Sequence, residues 1–241
     1  MTSPRVALRP VTSGEDRGLS RDLTRWLVGL LAFYAVVVVV KSVTVAMAYF
    51  RFNESTTEDD LATIAREADV VALFESVYLP IFVLFVVWTL QAHRVSRQLW
   101  AYDRRWRPAW AVGGYFLPVL WFVIPPKVLA EIYRIANAER TDGTVDSSWG
   151  DVRTPPLLVA WWIAFAYASV AGGVSTAVIE LSAVTAGSYR VARVESALGW
   201  SISANVVAAA SAVMAAMFIA QLGRRLQNPA SDFSSSSRSY G

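Results

Sequence analysis

Three ionisable side chains, Lys41, Glu75 and Glu180, fall within or at the rim of long apolar runs, where a charge is costly and therefore informative. Lys41 and Glu75 are the two whose placement allows chemistry. If their runs are antiparallel spans, Lys41 stands nine residues from the outer end of the first and Glu75 five from the outer end of the second. The helical rise then separates them by roughly 6 Å in depth, which side chains of this length bridge. Such a pair is either a step on an ion or proton path or a structural ion pair. In a third arrangement Lys41 snorkels outward while Glu75 meets interfacial water.

The rest of the chain offers few reactive groups. There are no cysteines, which excludes disulfides, thiolate metal sites, Fe–S clusters and cysteine nucleophiles. The one histidine, His93, lies in an arginine-rich stretch and leaves a His-based zinc site or a Ser-His-Asp triad without its parts. No Walker loop, dinucleotide fingerprint or metal-ligand spacing is present. The expectation is a protein that is not an enzyme and holds no cofactor or metal.

A second candidate is defined by backbone rather than by reactive groups. Within residues 107–134 the apolar run Ala109–Ile124 has only 16 residues. A perpendicular helix needs about 20 to cross ~30 Å of hydrocarbon. Gly113 and Gly114 weaken its first half, Pro118 removes a donor at its middle, and Pro125–Pro126 ends it. Irregular backbone at membrane depth is tolerated only where protein or a water-filled cavity satisfies it. The candidate residues of this segment are Pro108, Trp110, Gly113, Gly114, Pro118, Trp121, Pro125, Pro126, Glu131 and Arg134.

The elements that position these residues are membrane spans. With 241 residues, 55% of them hydrophobic, and a mean hydropathy of +0.40, the chain reads as one all-α polytopic membrane domain, residues 26–225, between short tails. Four spans are expected, at about 26–50, 70–90, 157–181 and 202–222. The broken segment 108–125 and an amphipathic helix at 126–139 lie between the second and third. The first run exceeds a signal-peptide core, so Ala46-Met47-Ala48 is read as part of a retained anchor. Residues 1–25 form a cytoplasmic tail, 138–154 a polar loop, and 226–241 a disordered serine-rich tail. Twenty arginines against two lysines point, through codon bias, to a GC-rich bacterial genome.

Charge sets the orientation. If 109–124 dips in and returns, 17 basic residues lie inside against four outside, Arg51, Arg66, Arg190 and Arg193. A full crossing would put Lys127, Arg134, Arg140, Arg153 and the Arg224–Arg225 pair outside. The count favours four spans plus a re-entrant or interfacial segment, in the bacterial cytoplasmic membrane with the N-terminus cytoplasmic. Five spans stay open as the alternative, since a kinked helix could continue past Pro125. The same count explains the pI near 9.3 by topology, not by nucleic acid, which is not expected as a partner.

After Pro125, Val128, Leu129, Ile132, Ile135 and Ala136 fall on one helical face, with Lys127, Glu131, Arg134 and Asn137 largely on the other. That spacing predicts a helix lying in the interface against lipid or protein. In the last two spans small residues recur at spacing four. One ridge is Ala164, Ala168, Gly172 and Thr176, and the other runs through Ala204, Ala208, Ala212, Ala216 and Ala220. Such ridges predict close packing of the two spans, with Asn205 and Ser211 hydrogen-bonding across the seam.

The stretch 108–134 resembles the DUF4328 family, uncharacterised bacterial membrane proteins common in actinobacteria. The resemblance rests on Pro108, Trp110, Ala111, Val112, Gly113, Phe116, Pro118, Pro125, Val128, Glu131, Ile132, Tyr133 and Arg134. Trp121 stands where the family often has an asparagine, and Pro126-Lys127 where a Tyr-Gln pair is usual. The resemblance implies a membrane location and a family name, and no known activity. Its expected surroundings are the lipid bilayer and a possible membrane-protein partner. Function is expected to be that of a membrane interaction or scaffold protein, the alternative being a small-solute or ion transporter or channel subunit.

Overall fold

The computed structural model describes residues 19–51, 76–99, 105–117, 120–138, 140–141, 144–145, 147–183 and 188–227. Among them are six α-helices: α1 (Arg21–Arg51), α2 (Tyr78–Leu99), α3 (Pro108–Gly113), α4 (Ile124–Asn137), α5 (Pro156–Ala183) and α6 (Ser188–Gln227). Helix α1 starts at Ser20, whose hydroxyl accepts the Leu23 N–H at 3.2 Å as an N-cap. Helix α5 starts on Pro156, whose missing N–H costs nothing at a first helical position. Pro80 lies in the first turn of α2 for the same reason, so it does not break a span.

Four of these helices, α1, α2, α5 and α6, are long and apolar enough to cross a membrane. Their outward faces are apolar: Val36 and Val40 on α1, Leu79 and Val83 on α2, Ile163 and Val170 on α5, and Val206 and Met217 on α6 are all exposed. Apolar surface of this extent around a whole bundle needs lipid beside it. The chain is a multi-pass membrane protein built from four spans, as the hydropathy predicts.

The helices outrun the expected spans, because internal hydrogen bonding carries a helix past the point where hydropathy falls. The second differs most. It is described from Tyr78 and continues to Leu99, since Ala92, His93, Val95 and Ser96 keep one face buried through the arginine-rich stretch. The expected start at residue 70 lies outside the described residues.

Helix α6 is central, with α1 on one side and α5 on the other. The core sits at one end of the bundle, where Leu27, Trp88, Leu129, Ile132, Phe218 and Leu222 pack together. Helix α4 closes that end. Its face Val128, Leu129, Ile132 and Ile135 is at most 1% exposed, each side chain contributing on the order of 1.5–3 kcal/mol relative to water. One expectation is corrected here: the helix begins at Ile124 and takes both prolines into its first turn. Of the two surfaces expected for its apolar face, lipid or protein, it packs on the protein. The expected polar loop carries a two-residue ladder, Arg140 opposite Val145 and Thr141 opposite Thr144, and a 3-10 turn at Ser147–Asp151.

Candidate functional site

The broken segment forms a hairpin that enters and leaves at the same end of the bundle. Its inbound limb runs down α2. His93, fully buried, donates its Nε2–H to the Trp106 carbonyl at 3.2 Å. One turn deeper the hydroxyls of Thr89 and Tyr115 are 3.4 Å apart, and the Tyr115 ring meets Phe82 and Phe85 edge-on. From His93 to Phe82 helix α2 rises ~16 Å, about half of a ~30 Å hydrocarbon core.

The chain turns there on local hydrogen bonds, Tyr115 N–H to Val112, Phe116 N–H to Gly113 and Trp121 N–H to Leu117. These satisfy backbone groups that lipid cannot. Trp121 begins the return against Phe82 at 5.7 Å and Phe165 at 6.2 Å between ring centroids. The Trp162 indole N–H caps the Phe122 carbonyl at 2.9 Å. Helix α4 then brings the chain back until the Glu131 carboxylate accepts the Arg105 backbone N–H at 3.2 Å. A crossing segment would hold those two residues apart by something near the bilayer thickness. The structure therefore decides for a re-entrant hairpin and against a fifth span.

The candidate residues divide by what they do in this hairpin. Pro108 opens α3 after Arg107, whose backbone is extended (φ −76°, ψ 157°). Trp110 is 40% exposed and lies edge-on to Trp106. A β-carbon on Gly114 would lie 2.8 Å from Ile124 Cγ2, so the two limbs touch only because this residue has no side chain. Gly113 has no such neighbour within 4 Å. Pro125 is buried and Pro126 half-buried at the start of α4. Arg134 donates from Nη2 to the Thr154 hydroxyl at 2.8 Å, tying α4 to the chain just before α5. Glu131 is a correction: expected on the polar face, it is only 6% exposed, because it turns inward to hold Arg105. Pro118 lies outside the described residues.

Above the hairpin is an open-sided cavity of about 540 Å³ bordered by α1, α2, α5, α6 and the hairpin tip. Its floor is aromatic, formed by Phe82, Phe85, Tyr115, Trp121, Trp161 and Phe165. Its far half is polar or small, with Lys41, Ser169, Gly172, Thr176, Ser201 and Asn205. The last two spans pack closely, as the small-residue ridges predict, and parts of both ridges also border this space. Ala168, Gly172 and Thr176 face Ala204, Ala208 and Ala212 across this space, and a β-carbon on Gly172 would meet nothing within 4 Å. Between α5 and α6, Ser175 donates to the Ala197 carbonyl at 2.9 Å and Tyr167 to Ser203 at 3.1 Å. Asn205 and Ser211 are buried on the cavity wall, and Asn205 Nδ2 has no hydrogen-bond partner.

Of the three intramembrane charges, Lys41 lies on this wall. Glu75, and with it the expected Lys41–Glu75 pair, lies outside the described residues. Glu180 falls in the last turn of α5 but its side chain lies outside them too. Among the described residues no three His, Cys, Asp or Glu side chains gather where they could hold a metal.

Sequence reasoning weighed His93 only as a metal or triad residue and passed over Thr24, Trp88, Gln227 and the Tyr115–Thr89 contact. One usable signal was present: Ser201, Asn205, Ala208 and Ala212 recur at helical spacing on α6, a polar and small stripe inside an apolar span.

Residues 53–224 match the family model described as "Domain of unknown function (DUF4328)". No curated protein and no solved structure matches the chain. The signature residues within that match are hairpin-building ones: Glu131 and Arg134 make the two closing hydrogen bonds, Tyr133 stacks on Phe218, and Val128 and Ile132 are buried.

Proposed function

This chain belongs to the DUF4328 family, and we propose that it is a multi-pass protein of the bacterial cytoplasmic membrane that binds an apolar ligand above its re-entrant hairpin. The observation that carries this reading is the cavity itself. Its volume lies within the range of small-molecule sites, ~300–1,000 Å³, and apolar walls with a few polar groups are the usual composition of such sites. Gly172 supports it, because a β-carbon at this cavity-lining position would meet nothing within 4 Å.

Orientation follows from charge. Arg21, Arg25, Arg224 and Arg225 gather at the end of the bundle that also carries Arg105, Lys127, Arg134 and Arg153, joined through Thr24, Trp88 and Gln227. A basic end of this kind supports a cytoplasmic side for the N-terminus and the hairpin mouth. The wall offers hydroxyls, an amide and one ammonium, a donor set suited to holding a ligand rather than to transforming it.

A scaffold role is the second reading. The apolar face of α4 is spent on the bundle, so the surface that favours a membrane partner is the hairpin turn, where Phe116 is 67% and Leu117 45% exposed. The test of the first reading is native mass spectrometry of the protein purified in mild detergent. A co-purifying ligand of defined mass is expected on the wild type and lost in Gly172→Leu, which fills the cavity at a position with room. Identical adducts on both proteins would overturn ligand binding and leave the scaffold reading.

A further inference from the structure

The stretch that opens the hairpin is held in place by hydrogen bonds from two helices. The Trp106 carbonyl accepts from His93 on α2 at 3.2 Å, and the Arg105 N–H donates to Glu131 on α4 at 3.2 Å. Arg105 and Arg107, both exposed, are thereby fixed beside α2. On α2 itself, Arg97 lies about 40° and Arg94 about 100° around the helix from His93, and both are exposed. Four guanidinium groups from two segments flank one hydrogen bond.

None of the four is paired with a carboxylate among the described residues, and Glu131, the carboxylate bonded to this stretch, is only 6% exposed. Unneutralised arginines on a fixed backbone suit a phosphate, which the planar guanidinium fork binds bidentately. The apolar surface beside them decides what carries that phosphate. Arg105 Cζ lies 5.9 Å from the centroid of the Trp106 ring, and Trp106 lies edge-on to Trp110 at 6.5 Å. Trp110 is 40% exposed, and the inbound limb runs from it to Phe116, 67% exposed and edge-on to Phe82. His93 and Phe82 mark the two levels on α2, ~16 Å apart, about one leaflet's share of a ~30 Å hydrocarbon core. A lipid of that leaflet spans the same depth from head group to chain end. A soluble phosphate compound would make no use of the exposed indole and phenyl rings.

We propose that Arg94, Arg97, Arg105 and Arg107 bind the phosphate of an anionic phospholipid whose acyl chain lies along the inbound limb over Trp110 and Phe116. The site lies outside the cavity and is independent of the ligand read there. It selects a head group without a cation, because the ammonium of a zwitterionic lipid would stand among four guanidinium groups.

The test is native mass spectrometry of the full-length protein, stripped of co-purified lipid in detergent. It is titrated with dioleoyl-phosphatidylglycerol or dioleoyl-phosphatidylcholine, which carry the same tails. A saturable first adduct is expected, about tenfold tighter or more for phosphatidylglycerol. Arg105→Gln with Arg107→Gln should weaken phosphatidylglycerol by about tenfold and leave phosphatidylcholine unchanged. Arg224→Gln with Arg225→Gln removes the same charge from α6 and should leave both lipids unchanged. Trp110→Ala should weaken both lipids alike. Arg105→Lys with Arg107→Lys keeps the charge without the fork and should fall between wild type and the glutamine pair, and it serves should that pair fail to fold. Gly172→Leu, which fills the cavity, should leave the preference intact, so this site and the cavity fail separately. Equal binding of the two lipids, or an equal loss from the α6 pair, overturns the proposal. Displacement of phosphatidylglycerol by millimolar inorganic phosphate overturns it in favour of a soluble phosphate ligand. Loss of the preference in Gly172→Leu moves the lipid into the cavity and overturns this site as well.

Discussion

Trp88 on α2 donates its indole N–H to the hydroxyl of Thr24 on α1 at 3.1 Å. The same oxygen accepts from Gln227 Nε2 on α6 at 3.2 Å and donates to the Ser20 carbonyl at 3.0 Å. A hydroxyl has one donor and two acceptor positions, and here all three are used. Three helices are therefore registered through one atom at the basic end of the bundle.

Thr24→Val keeps the shape and removes the hydroxyl, leaving the Trp88 and Gln227 donors without this acceptor. Hydrogen bonds between membrane helices are worth ~0.6 kcal/mol on average and up to ~1.7, so the loss of two should cost about 1–3 kcal/mol. Thermal unfolding in detergent should show a lower midpoint for Thr24→Val and a value close to wild type for Thr24→Ser. Equal midpoints for all three proteins would show that the node does not hold the helices.

Gly223→Ala tests the close approach behind that node. The added carbon would meet Thr24 Cγ2 at 2.9 Å, so α1 and α6 must separate. Overpacking of this kind costs ~1–3 kcal/mol. Chemical denaturation should register it, with Gly113→Ala, which meets nothing within 4 Å, as the tolerated comparison.

Gly114→Ala acts on the hairpin itself. Its new β-carbon would press on Ile124 and push the two limbs apart. Limited proteolysis should cut the 105–124 stretch faster in this variant than in Gly113→Ala. Equal cutting would mean that the limbs do not depend on the Gly114–Ile124 contact.

Glu131→Ala removes the acceptor that closes the hairpin mouth, whereas Glu131→Gln retains an oxygen there. Hydrogen exchange read at the Arg105 amide should accelerate by about tenfold or more in the alanine variant, as ~1.5 kcal/mol of protection is lost. The glutamine variant should lie between it and the wild type.

Topology is testable without background labelling, because the chain has no cysteines. Single cysteines at Ser13, Ser147 and Ser235 should react only with reagents that reach the cytoplasm, and those at Ser55 and Ser188 from the opposite side. Reaction of Ser147→Cys from outside alone would sink the re-entrant arrangement.

Much of the fold was legible in the chain. Four spans, the break at Gly113–Pro126 and the amphipathic face Val128–Ile135 all follow from hydropathy, period and proline position. The site was legible only in part. Glu131 was assigned to the polar face because helical spacing puts it there, yet one backbone N–H from a residue 26 positions earlier draws it into the core. Gly172 and its ridge read only as a packing seam because small residues look the same in sequence whether they admit a neighbour or leave a space.

Length, hydropathy and charge are sums over neighbouring residues, and a bilayer responds to those sums directly. That is why the sequence alone determined the four long spans, the basic end and the shortness of residues 109–124. Whether that short segment crossed or returned depended on contacts between distant residues, Arg105 with Glu131 and Gly114 with Ile124. The cavity likewise exists only where four helices and a hairpin fail to fill the space between them. Such contacts are set by how whole helices pack, so tertiary structure alone decided them.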